Sequence, residues 1–92
     1  MPRTELTLSG TVSKVERAGG WVAFILPTKS RTKFSTKVIL GGELAKEAIR
    51  EGVSKGSTIL ASGDNYKIEG NCLKLFANMC MRVDEFEKDV QE

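Results

Sequence analysis

Apolar and polar residues alternate from Glu5 to Val15, with Leu6, Leu8 and Val12 on one side and Thr7, Ser9, Thr11 and Ser13 on the other. A period of two marks a strand with one buried face. Gly10 falls inside this run and Val15 is out of phase with Val12. The pattern therefore predicts a bulge or bend near Gly10, where the strand turns the corner of a small barrel. Arg17-Ala18-Gly19-Gly20 predicts a hairpin loop. Trp21 to Leu26 is apolar on both parities. Val22, Phe24 and Leu26 are assigned inward, which leaves Trp21 on the other face at the strand's start. Pro27 ends the run, and Pro27 to Lys33 is a polar, basic loop.

The stretch from Arg31 to Gly63 organises the rest. Thr32 to Leu40 is rich in β-branched and apolar residues and stops at Gly41-Gly42. Its facing has two readings. With Val38 and Leu40 inside, Lys33, Ser35, Lys37 and Ile39 face out and Phe34 faces in; a bulge near Thr36 reverses the first half and brings Phe34 out. From Glu43 to Glu51 the period changes to that of a helix. Leu44, Ala45, Ala48 and Ile49 share a face that Val53 extends past Gly52, and Lys46, Glu47, Arg50 and Glu51 share the other. Lys55-Gly56-Ser57 is a turn, and Thr58 to Ser62 is a further strand ending at Gly63.

A last hairpin joins Tyr66-Lys67-Ile68 to Cys72–Val83 through Glu69-Gly70-Asn71. If the second arm is one strand, Leu73, Leu75, Ala77, Met79, Met81 and Val83 form an unbroken apolar face. Cys72, Lys74, Phe76, Asn78, Cys80 and Arg82 then form the other. One short helix among strands predicts an all-β fold with one helix. The architecture expected is a five-stranded OB-fold Greek-key barrel, with the helix between strands 3 and 4 closing one end.

Composition fits one small soluble domain: 92 residues, 40% hydrophobic and 28% charged. Residues 1–83 are expected to form it and 84–92 to be a short acidic tail. Residues 1–83 carry thirteen Lys/Arg against seven Asp/Glu, and 84–92 carry one against five. A basic body with an acidic end is a functional hint. No apolar run is long enough to cross a membrane, and MPRTELTLSG lacks a signal-peptide core, so a cytoplasmic location is expected. Cys72 and Cys80 lack zinc-ligand spacing and there is no histidine, so no metal site, disulfide or cofactor is expected; the two thiols are read as buried and free.

Catalysis has little to stand on. Without histidine there is no Ser-His-Asp or Cys-His pair. No GxxxxGK[ST] or GxGxxG string is present either. What remains is cations and flat side chains, the two things single-stranded nucleic acid requires: charges that follow the phosphates and rings that stack on unpaired bases. Lys29, Arg31, Lys33, Lys37, Lys67, Lys74 and Arg82 suit the first role; Trp21, Phe34, Tyr66 and Phe76 suit the second. From Arg17 to Gly42 no acid interrupts the cations.

At this point LTLSGTV, GGWVAFILPT, FSTKVILGGELAKEAI and SKGSTILASGD, in that order, resemble the bacterial and phage single-stranded DNA-binding protein family, including its primosomal replication protein B type. The resemblance covers about residues 5–83. It implies an OB fold that binds single-stranded DNA with little sequence preference, as a homodimer or homotetramer, during replication, recombination or repair and in the company of proteins of those processes. Family stacking positions correspond here to Phe34 and Tyr66. The short last hairpin, and a C-terminus that is acidic but lacks a D-I-P-F-type tip, fit a minimal phage, plasmid or accessory form. Two other functions stay open at the sequence level: an OB-fold adaptor for proteins, and an RNA-binding OB domain.

Overall fold

The computed structural model describes residues 4–27 and 35–83. Residues 28–34, with Lys29, Arg31, Lys33 and Phe34, and the acidic stretch 84–92 lie outside the described residues. The elements run β1 (Leu6–Thr11), β2 (Lys14–Ala18), β3 (Trp21–Pro27), β4 (Ser35–Gly41), α1 (Gly42–Arg50), β5 (Thr58–Gly63), β6 (Asn65–Glu69), β7 (Cys72–Phe76) and β8 (Met79–Arg82). They form a three-stranded sheet, β1-β5-β8, and a five-stranded sheet, β2-β3-β4-β7-β6. All pairs are antiparallel except β4 with β7.

Three bends carry the chain directly from one sheet to the other; one is at Asp64, between β5 and β6, and backbone hydrogen bonds fix two more. The first lies at Val12-Ser13, two residues after the expected place; Gly10 pairs in regular register with Ile59. Val12 N–H donates to the Ser57 carbonyl and Ser13 N–H to the Ile25 carbonyl, both at 2.8 Å. Neighbouring amides thus bond to different parts of the fold. The bend also lets Val12 and the out-of-phase Val15 both turn to the core. Between them and Trp21 the strands pair up to Ala18, so the hairpin turn is Gly19-Gly20 alone and not the four residues expected.

The second bend lies at Ala77-Asn78 and corrects the reading of Cys72–Val83 as one strand with a single apolar face. Ala77 N–H donates to Ile39 at 3.0 Å, and Asn78 N–H to Ser62 at 2.8 Å. The break resets the alternation. Leu75 is fully buried, yet beyond the bend Met81 is exposed and Cys80 packs against the core. Burial pushes the Cys80 thiol up to about 11, with Glu51 adding to the shift. Both cysteines are free and half-buried.

Phe24, Leu40, Ile59, Leu75, Val12 and Val38 are the largest fully buried side chains. The ladder of β3 on β4 is continuous, which puts Thr36, Val38 and Leu40 inward with no bulge at Thr36. From α1, Ala45 and Ala48 join the core, while Ile49 at the edge of the same face stays exposed. The helix stops in a Schellman arrangement. Gly52 adopts φ +80, its N–H donates to Ile49, Val53 N–H donates to Ala48, and Val53 inserts into the core.

Close approach at the second bend makes one glycine irreplaceable. A Cβ on Gly63 would stand 2.8 Å from the Phe76 carbonyl oxygen and 3.2 Å from Ala77 Cα, both backbone atoms that cannot rotate away. A Cβ on Gly10 meets only the Leu26 side chain at 3.5 Å or more. Gly63→Ala should therefore lower stability by about 1–3 kcal/mol in urea unfolding, and Gly10→Ala by less than about 0.5 kcal/mol. Equal effects of the two would contradict this account of the bend.

Candidate nucleic-acid interface

The five-stranded sheet sets side chains in rows. Register aligns Lys14, Ile25, Lys37, Lys74 and Lys67 across β2, β3, β4, β7 and β6. The next row on the same face is Glu16, Ala23, Ile39, Phe76 and Asn65. Between these rows lies one of opposite parity, Val15, Phe24, Val38, Leu75 and Tyr66, which faces the core. The outer face therefore carries four lysines in one line with Phe76 one row away, 37% exposed. Trp21 follows on the same parity at the end of the β2–β3 hairpin, 43% exposed.

Lys37, Lys74 and Lys67 stand directly side by side on adjacent strands. Like charges in facing positions oppose folding by roughly 0.2–1 kcal/mol per pair. Two glutamates moderate this. Glu16 takes Lys37 Nζ at 3.1 Å and Lys14 Nζ at 3.8 Å, and Glu69 takes Lys67 Nζ at 2.8 Å and Lys74 Nζ at 3.5 Å. Four cations share two carboxylates, so the face stays net positive. Lys14 and Lys67 are exposed and Lys37 and Lys74 half-buried, and ion pairs open to solvent in this way are weak enough to give way to a competing anion.

Of the residues expected from sequence, the sheet brings Lys37, Lys67, Lys74, Phe76 and Trp21 to one face. It does not bring Tyr66 there: the ring sits across the hairpin, half-buried against the core opposite Leu75. Arg82 is elsewhere too. It lies on β8 in the other sheet and donates to the Glu51 carbonyl at 3.1 Å, a cation at the carbonyl end of α1. The acid-free window around Lys37 holds only along the chain, because β2 delivers Glu16 from the side. Lys14, Glu16 and Glu69 are additions that sequence reasoning missed; the alternation of β2, which puts Lys14 and Glu16 on one side, was the available signal.

No protein-family model matches the sequence, and no curated protein matches it. Among solved structures the chain is similar to the second single-stranded DNA-binding protein (SSBb) of Mycobacterium smegmatis, with a TM-score of 0.69 and 21% identity over 92% of each chain. It is also similar to a chain of the Stn1–Ten1 complex of S. pombe, with a TM-score of 0.70 and 13% identity over 95% of this chain. It spans 63% of that chain's length. At these identities the likeness is one of fold: mostly β with one helix, similar to the OB-fold architecture of single-stranded DNA-binding proteins.

Glu69 reports on the row. The hydrogen bond from Lys67, then the charges of Lys67 and Lys74, hold its carboxyl below the ordinary value of 4.5. A depressed carboxyl stabilises the fold above its ordinary value, and that contribution is lost as pH falls through the folded value. An NMR pH titration should place the Glu69 midpoint below 4.5. Lys67→Ala should move it back up, and a midpoint indifferent to that change would contradict the shared pairing.

Proposed function

We propose that the protein binds single-stranded DNA, with little sequence preference, across the outer face of its five-stranded sheet. The observation that carries the reading is the in-register lysine row with exposed Phe76 beside it. Unpaired nucleic acid asks for phosphate-neutralising charge next to a stacking ring, and folding alone gains nothing from aligning like charges. Lys29, Arg31, Lys33 and Phe34, in the sequence joining β3 to β4, belong to the same reading as further phosphate and base contacts. So does the likeness of fold to the M. smegmatis single-stranded DNA-binding protein.

The finer architecture goes with this reading. Taking β1 with β2, β5 with β6, and β7 with β8 as single bent strands, we read the fold as a five-stranded barrel with α1 at one end. We take the protein to be a non-enzymatic, cytoplasmic binding module that organises or protects single strands during replication, recombination or repair. A minimal phage, plasmid or accessory form that assembles as a homodimer or homotetramer fits best, and 84–92 is kept as a separate acidic tail. One observation favours a second reading as a protein adaptor. Trp21 and Ile49, 43% and 41% exposed, border a groove of about 230 Å³ between the β2–β3 hairpin and α1.

Titration with oligo-dT at several salt concentrations separates these readings. Four phosphates neutralised by the row give a log–log salt slope of about −3, from roughly −0.7 per phosphate. Lys37→Ala with Lys74→Ala should weaken binding and flatten the slope by about 1.4. Phe76→Ala should weaken binding by about 1–3 kcal/mol and leave the slope nearly intact. Tighter binding to oligo-U than to oligo-dT would make RNA the ligand, and no binding at low salt would leave the adaptor reading ahead.

A further inference from the structure

The first bend does more than turn a corner. Where β2 leaves β1, an open groove of about 710 Å³ runs along the free edge of β2, lined by Ser13, Lys14, Val15, Arg17, Val53, Ser54 and Lys55. Lys14, Arg17 and Lys55 supply charge and none of the lining residues is acidic. Among the described residues, no ion pair engages Arg17 or Lys55. Half-buried Val15 and buried Val53 give the groove apolar surface. The opposite wall is held rigidly. Gly56 N–H donates to the Val12 carbonyl at 2.8 Å, Val12 N–H to Ser57 at 2.8 Å, and Ser54 N–H to Ser57 Oγ at 3.1 Å.

Lys14 belongs to both features. It is the end of the lysine row on the sheet face, and it lines the groove. Arg17, of opposite parity in β2, lines the same groove from beyond the edge. We infer that the groove is a second segment of the binding path: a single strand leaving the sheet face at Lys14 turns over the edge of β2 and seats its next phosphates on Arg17 and Lys55. This rests on the sheet-face reading above and extends it to a longer footprint. A phosphodiester strand suits the groove because it offers evenly spaced anions to Arg17 and Lys55, which have no ion pair among the described residues. A small acidic metabolite would instead call for a closed pocket with converging donors.

The test compares Arg17→Ala with Lys55→Ala, made together, against wild type on two lengths of oligo-dT. Lengths of about 4 and about 12 nucleotides lie within the range that OB folds occupy. Both side chains are exposed, so an unchanged melting temperature verifies the fold. On the longer oligonucleotide the pair should weaken binding about tenfold or more at low salt and flatten the slope by about 1.4; on the shorter it should change affinity by no more than about twofold. Equal loss on both lengths, or none on the longer, overturns the inference while the sheet-face reading stands. The Lys37→Ala/Lys74→Ala protein is the reference and should weaken both lengths. If it weakens neither, the sheet-face reading fails and the extension falls with it, as both do if wild type binds no oligo-dT.

Discussion

At Ala77 and Asn78 two consecutive backbone amides donate in different directions, one to Ile39 in the five-stranded sheet and one to Ser62 in the three-stranded sheet. Val12 and Ser13 split in the same way between Ser57 and Ile25. A buried backbone amide must find a partner, so each bend fixes how the two sheets sit together. Without them the short sheets would each expose a hydrophobic face. With them, Val12, Phe24, Val38, Leu40, Ile59 and Leu75 meet in one core. Gly63 is the steric counterpart of this arrangement, since only a residue without a side chain lets β5 approach the bend so closely.

The site is a consequence of the same bends. Breaking the last arm at Ala77 leaves β7 free to run parallel to β4, which sets Lys74 beside Lys37 and Phe76 beside Ile39. The β6–β7 hairpin then adds Lys67. The resulting line of like charge is tolerated because Glu16 and Glu69 each serve two lysines at the surface, where such pairs are weak. Carboxylates that each hold two cations offset the repulsion along the row while leaving the face net positive.

Element types were legible because each has a strong local signature. Alternation marked β1 and the change of period marked α1, whose apolar stripe ran past Gly52 to Val53. The out-of-phase Val15 announced a bend, although Gly10 was the wrong residue to pin it on: the register there is set by pairing with β5. The second bend was hidden, because Leu73 to Val83 alternates as if unbroken. Only the tertiary partners of Ala77 and Asn78 reverse the facing of Cys80 and Met81. In the site, Lys37, Lys74 and Phe76 were readable from parity within one strand. Tyr66 and Arg82 were not, since their places depend on which strand or helix end lies opposite. Glu16 escaped notice for the same reason, being distant from Lys37 in sequence and adjacent only across the sheet.

The most direct test of the central claim is an amide NMR titration of the protein with oligo-dT at low salt. The account predicts that the largest shift changes fall on Lys37, Ile39, Lys67, Lys74 and Phe76, with Ala45, Ala48 and Met79–Arg82 nearly still. Changes concentrated on Trp21 and Ile49 with the row unmoved, or no changes at all, would contradict it.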